Sequence, residues 1–239
     1  MKAFSVTDIG ERRKTNQDYV YCRETPIGNL ENLFIVADGM GGHNAGDYAS
    51  KLCVEFFTQQ IKESKLKSPI PMIDAALEAT NNKLRNLAQT KTEFKGMGTT
   101  FVAATIIEKV MYVANVGDSR LYVIGDEITQ ITEDHSLVEA MVKKGEIDRD
   151  SAKVHPNKNI ITRAIGVNKT VKPDFFEVNL KEGDTVLICS DGLTNMLSDE
   201  EIKNIIKEND DLKVASDSLV QHANDNGGKD NIAVIIIKI

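Results

Sequence analysis

The chain has 239 residues, with 29 Lys and Arg against 36 Asp and Glu, and so a formal net charge of −7. Hydrophobic residues make up 41% and charged residues 27%, enough apolar surface for a sizeable core and too much for a disordered chain. The acidic balance argues against a general nucleic-acid or anionic-membrane binder, since either needs a basic surface, and no run reaches the roughly 18 apolar residues of a bilayer span.

Residues 1–10 alternate polar and apolar and lack a signal-peptide core, which places the chain in the cytosol. Residues 2–8 and 18–23 alternate as half-buried strands do, and Leu33-Phe34-Ile35-Val36-Ala37 is an apolar run of strand length. Over 45–61 the apolar residues Ala45, Tyr48, Ala49, Leu52, Cys53, Phe56, Phe57 and Ile61 fall on one helical stripe. A second helix is expected over about 70–93, with Pro69 and Pro71 bracketing the turn before it. Short strands follow at 99–108, 110–116, 120–124 and 128–131, the last two joined by a turn at Gly125-Asp126. Residues 135–159 are polar and mixed in charge and read as helix plus loop. Strands resume at 174–180 and 185–190, helices at 199–208 and 212–225, and a strand closes the chain at 231–239. Locally connected strands with helices gathered in pairs predict an α+β fold with antiparallel sheets, in a single domain over 1–239. Cys22, Cys53 and Cys189 sit in apolar surroundings and read as small core residues of a reducing compartment.

The chemistry lies in a recurring shape: a strand ends and an aspartate follows in a glycine-rich turn. It occurs at Asp38-Gly39, Gly117-Asp118 and Asp191-Gly192, and the last strand is entered through Gly228-Lys229-Asp230-Asn231. A further acid, Asp18, stands in Asn16-Gln17-Asp18. One Asp-Gly after a strand is ordinarily just a turn. Several such ends, brought to one sheet edge, would make a self-repelling carboxylate cluster that divalent cations relieve. All-oxygen ligands suit Mg²⁺ or Mn²⁺, and Gly39 lets its carbonyl approach an ion. Other schemes fail on spelling. The positions six after the three cysteines are Gly28, Gln59 and Asn195, not the arginine of a cysteine phosphatase. There is no Gly-x-Ser-x-Gly elbow, His-Glu-x-x-His helix or phosphate loop.

The string Thr7-Asp8-Ile9-Gly10, Arg13, Asn16-Gln17-Asp18, Asp38-Gly39-Met40-Gly41-Gly42-His43, Gly98-Thr99-Thr100, Asn115-Val116-Gly117-Asp118-Ser119-Arg120, Asp134-His135-Ser136, Ser190-Asp191-Gly192-Leu193 and Lys229-Asp230-Asn231 resembles the bacterial metal-dependent protein phosphatases of type 2C. The motifs keep the family's order and cover nearly the whole chain. The resemblance implies an α-β-β-α sandwich, with two antiparallel sheets each flanked by an antiparallel helix pair. It implies hydrolysis of phosphoserine and phosphothreonine in proteins, opposing a bacterial Ser/Thr kinase. Asp38 would bridge two Mn²⁺ or Mg²⁺ ions, with the Gly39 carbonyl on the first and Asp191 and Asp230 on the second. Asp118 would hold a third, weaker ion with Asp191. Asp18 matches an acid acting through water, Arg13 the phosphate-binding arginine, and Asn231 a residue that orients phosphate or water. Residues 141–160 match the family's flap, a charged segment that either selects substrates or is only solvated surface.

The implied reaction is attack of a water shared by two cations about 3.5–4 Å apart. Their charge and Arg13 offset the phosphoryl oxygens. The proton for the leaving oxygen comes from His43 or from a metal-bound water. Asp134-His135-Ser136 has a local reading as a helix cap, and His155 and His222 read as surface residues. A catalytically silent phosphoprotein-binding relative is the competing reading, and the presence of Arg13, Asp38, Asp118, Asp191 and Asp230 weighs against it. No exposed apolar stripe is left over, so a monomer is expected, and no anchor or kinase module is expected beside the catalytic domain.

Overall fold

The computed structural model describes residues 1–41, 45–90 and 92–239. The chain opens with strands β1 (Lys2–Asp8), β2 (Asp18–Arg23) and β3 (Leu33–Met40), then helices α1 (Ala45–Glu63) and α2 (Pro69–Ala88). Strands β4 (Gly98–Thr99), β5 (Phe101–Ile107), β6 (Val110–Val116), β7 (Arg120–Ile124) and β8 (Ile128–Gln130) follow, then α3 (Leu137–Lys143) and α4 (Arg149–Val154). The last elements are β9 (Asp174–Asn179), β10 (Thr185–Cys189), α5 (Asp191–Thr194), α6 (Asp199–Glu208), α7 (Leu212–Asp225) and β11 (Ile232–Lys238). One sheet runs β1-β11-β10-β7-β8 and the other β2-β3-β5-β6-β9, with β4 paired to β3. Both sheets are antiparallel, and the expected α-β-β-α sandwich is the fold.

The two-residue period of a strand explains the layers. On β3, Phe34 and Val36 enter the core between the sheets with Val102, Val113, Ile188 and Ile235. The alternate residues Leu33, Ile35 and Ala37 pack under α1 and α2 with Phe57, Ile73 and Leu77. On β11, Ala233, Ile235 and Ile237 face the other sheet, while Ile232, Val234 and Ile236 pack with Ile202 of α6 and Leu219 of α7. Central strands covered on both faces therefore read as continuous apolar runs, not alternating ones.

Four local expectations need correction. β3 does not turn at Asp38-Gly39 but continues to Met40, because β4 supplies partners there: Gly39 pairs Thr99 and Met40 pairs Gly98. The strand expected over 99–108 is broken at Thr100, whose backbone N–H and side-chain oxygen both go to the Asp38 backbone. α2 starts on Pro69, where the missing N–H costs nothing, and stops at Ala88, after which the Thr90 hydroxyl donates to the Leu87 carbonyl. Asp191-Gly192 is not a free turn but the first turn of α5, entered through Ser190. The flap takes in the end of α3 and all of α4, and neither helix fully buries a residue. Among the described residues no helix is long and apolar enough to cross a membrane.

Candidate active site

Antiparallel pairing carries the aspartates to one edge of the sandwich. Asp18 begins β2 and lies opposite Asp38 of β3. Asp118 follows β6 and Asp191 follows β10, whose last residue, Cys189, pairs with Arg120 of β7 and Val234 of β11. Asp230 stands just before β11. The five carboxylates come close enough that Asp38 feels the charges of Asp18, Asp191, Asp118 and Asp230. His43 lies outside the described residues.

Burial and mutual repulsion both oppose ionisation here. Asp18 is 6% exposed, and burial, with the charges of Asp191 and Asp230, pushes its carboxyl up to about 7 against the bond from Ser190. Burial, then the Asp230 charge, raises Asp191 to about 6. Asp38 and Asp118 are held well above the usual carboxylate range, again by burial first and neighbouring acids second. A cation among them reverses this balance.

The residues fit hard divalent cations. The donors are all oxygen, and the buried Asp18 Oδ1 has no hydrogen-bond partner among the described residues. At Gly39 a side chain is excluded: a Cβ would lie 1.9 Å from the Gly46 carbonyl oxygen and 2.7 Å from that of Gln17. Among the described residues no three His, Cys, Asp or Glu side chains close around one point as a metal cage. The arrangement is instead an open rim of carboxylates, which leaves ligand positions for carbonyl oxygen, water and substrate.

The supporting contacts are specific. Ser190 Oγ donates to Asp18 Oδ2 at 2.6 Å and accepts the Ala233 N–H at 2.9 Å, tying one sheet's acid to the other sheet. The Asp38 N–H donates to Thr100 Oγ1, and Thr99 Oγ1 donates to the Asp38 carbonyl. Asn195 Nδ2 donates to Asp191 Oδ2 at 2.9 Å. Arg13 Nη2 donates to Asp230 Oδ2 at 2.6 Å, with the Arg13 side chain 46% exposed, so its other N–H groups remain open to an anion. Sequence reasoning took Gly98-Thr99-Thr100 as a tight turn and strand start beneath the site, and passed over Asn195. The signal for Asn195 was its i+4 spacing from Asp191 on one helical turn.

Asn231 does something different from what its position suggested. It is buried, its Oδ1 accepts the Gln17 N–H, and its Nδ2 donates to the carbonyls of Ile9 and Thr15. Its amide is spent on the loop that carries Arg13, not on an anion. A groove of about 680 Å³ opens beside Asp118 and Asp191, between the flap residues Arg149 and Lys158 and the start of α6.

A carboxylate rim of this kind, with one arginine at its edge, has the chemistry to suit divalent cations and a phosphoryl group. The family model for protein phosphatase 2C matches residues 3–232. The serine/threonine phosphatase stp of Listeria innocua is 40% identical over 237 residues, covering 97% of this chain and 93% of that protein. The crystal structure of the serine/threonine phosphatase Stp1 from Staphylococcus aureus superposes with a TM-score of 0.92 at 38% identity, covering 100% of this chain and 94% of that one. A structure of the catalytic domain of the serine/threonine protein phosphatase PstP in complex with two manganese ions gives 0.85 at 31% identity, covering 98% and 96%. The chain belongs to the protein phosphatase 2C family, and it is a phosphatase.

Proposed function

We propose that this enzyme hydrolyses phosphoserine and phosphothreonine in proteins with Mn²⁺ or Mg²⁺, opposing a bacterial Ser/Thr kinase in the cytosol as a monomer of one domain. The observation that carries the reading is the convergence of Asp18, Asp38, Asp118, Asp191 and Asp230 on one edge, raised in pKa by burial and by one another, beside the exposed Arg13 fork. Asp38, the Gly39 carbonyl, Asp191 and Asp230 would hold two ions, and Asp118 with Asp191 a third. When bound, a pair of such ions supplies positive charge for the phosphoryl oxygens and lowers the pKa of water. PstP with its two manganese ions supports that number.

The chain's own contribution is placement and charge. Asp18, gripped by Ser190, accepts a hydrogen bond from water without closing the rim. The planar guanidinium of Arg13 donates two parallel bonds to a phosphoryl group once it releases Asp230. Asn231 fixes the loop that aims it. His43 is the proposed proton donor to the leaving oxygen. The flap and the groove beneath it receive the polypeptide around the phosphoresidue.

The test is hydrolysis of an aryl phosphate and of a phosphothreonine peptide with Mn²⁺, with Mg²⁺ and with chelator, on wild type and Asp191→Ala. Turnover abolished by chelator and crippled by Asp191→Ala is expected. Turnover that survives both would mean another site does the chemistry.

A further inference from the structure

Asp134-His135-Ser136 is a motif that the proposed reaction leaves without a full account. Ser136 does cap α3, accepting the Glu139 N–H, but His135 points elsewhere. It is 6% exposed and grips one residue, Gly117, through the peptide units on both sides of its Cα. Its backbone N–H donates to the Gly117 carbonyl at 2.9 Å, and its Nδ1 faces the Gly117 N–H at 3.1 Å. The backbone N–H can only donate, so Nδ1 carries the lone pair and Nε2 carries the proton. Nε2 accordingly donates to Asp174 Oδ2 at 2.9 Å. Arg163 Nη1, also near Nε2, has its own acceptors in Asp174 Oδ1 at 2.7 Å and the Lys172 carbonyl at 3.2 Å. Burial and the Arg163 charge lower the His135 pKa, against the Asp174 bond, in keeping with a neutral ring.

What His135 grips is the residue before Asp118. Gly117 has φ +112, and a Cβ there would lie 2.6 Å from the Thr100 side chain. The residue after Asp118 is pinned as well: Ser119 Oγ is 2.7 Å from Thr100 Oγ1, which also takes the Asp38 N–H. Asp118 is thus carried on a turn clamped at both ends, one clamp being a histidine. The same histidine accepts the Thr162 N–H on its carbonyl at 2.7 Å, where the chain returns from the flap.

We infer that His135 is a positioning residue for Asp118: its Nδ1, through the Gly117 N–H, sets the carboxylate for a divalent cation, while its Nε2 bond to Asp174 serves only to hold the ring. The inference rests on the proposed metal site and deepens it. Residues that orient metal ligands from behind typically change affinity by about 10- to 100-fold when replaced.

The side-chain amides separate the two halves of the ring. Asparagine places an oxygen where Nδ1 stands and gives up Asp174; glutamine reaches Asp174 and gives up Gly117. Mn²⁺ is titrated by calorimetry into chelator-stripped wild type, Asp118→Asn, His135→Asn and His135→Gln, with a melting curve on each. His135→Gln is expected to weaken the lowest-affinity Mn²⁺ step about ten-fold, as Asp118→Asn does, while His135→Asn stays within about two-fold of wild type. The melting points of both His135 variants fall. Equal Mn²⁺ binding by the two His135 variants, or a ten-fold loss in His135→Asn, overturns the inference and leaves the metal site standing. Wild type that binds no Mn²⁺ overturns the metal site and the inference together.

Discussion

In the sandwich, α1 presses Cys53, Phe57 and Ile61 onto β3, and α2 adds Ile73, Leu77 and Leu84. Around the flap, no residue of α3 or α4 is fully buried. The flap is held instead by polar contacts. Lys143 pairs with Glu133, Arg149 makes two bonds to Glu139 at 2.9 and 3.1 Å, and Lys158 donates to Asn195 Oδ1 at 3.0 Å. Exposed pairs of this kind contribute roughly 0–1 kcal/mol each, whereas a buried aromatic contributes several times that. The carboxylates therefore sit on the densely packed part of the molecule. The segment beside them is on the part that opens most easily, as a substrate-receiving element requires.

The most severe way to probe this contrast is to hollow the sandwich. Phe34→Ala removes a fully buried ring from between the sheets and should cost about 3–5 kcal/mol. Urea unfolding measures it, and Val154→Ala on the 82%-exposed flap position should move the same curve by less than about 0.5 kcal/mol. A loss under 1 kcal/mol at Phe34 would mean the inter-sheet core is not the stabilising layer.

The site should answer in the opposite sense to the core. Asp191→Asn is expected to lower kcat with Mn²⁺ by at least about 100-fold. In chelator the same variant should melt higher than wild type, because it removes one of several buried, mutually repelling acids. A variant that melts lower in chelator would show that the Asn195 bond to Asp191 outweighs the repulsion.

The sandwich was legible in the sequence for a physical reason. Runs such as Leu33 to Ala37 and the stripe through Ala49, Cys53 and Phe57 obey a period, and period decides which face is buried. The aspartates were legible as a group because each closes or opens a strand. What escaped was whatever depends on a partner remote in sequence. β3 continues past Asp38 to Met40 because β4, some sixty residues on, pairs with Gly39 and Met40. The role of Asn231 could not be read from its neighbour Asp230, since its partners are Ile9, Thr15 and Gln17. Asp134-His135-Ser136 looked local because Ser136 is local. His135 reaches Gly117 and Asp174, which no spacing rule connects.

A smaller effect compares equivalent caps in the two regions. Ser198 caps α6 in a reciprocal box with Glu201, and Ser136 caps α3. Ser198→Ala should cost about 1 kcal/mol in global unfolding. Ser136→Ala should cost less globally and show instead as faster amide exchange in α3, which can open without the sandwich. The Ser198 bonds hold the Glu201 pKa below its ordinary 4.5. That stabilisation is present above the ordinary value and is lost as pH falls through the lowered one, so the Ser198→Ala difference should shrink as the pH is taken below 4.5.

The smallest effect is the most informative about the flap. Arg149 is exposed, but its partner Glu139 is largely covered, with side-chain exposures of 72% and 14%. A double-mutant cycle on Arg149→Ala and Glu139→Ala should give a coupling of about 0.2–1 kcal/mol in global stability. The kinetic signature should be larger than the thermodynamic one. Arg149 lines the groove beside Asp118 and Asp191, so loosening it should raise KM for a phosphothreonine peptide while leaving kcat and KM for a small aryl phosphate unchanged. An aryl phosphate has no polypeptide to lay along the flap. Equal changes on both substrates would place the pair in support of the site itself, and the division between a fixed sandwich and a yielding flap would have to be redrawn at Glu139.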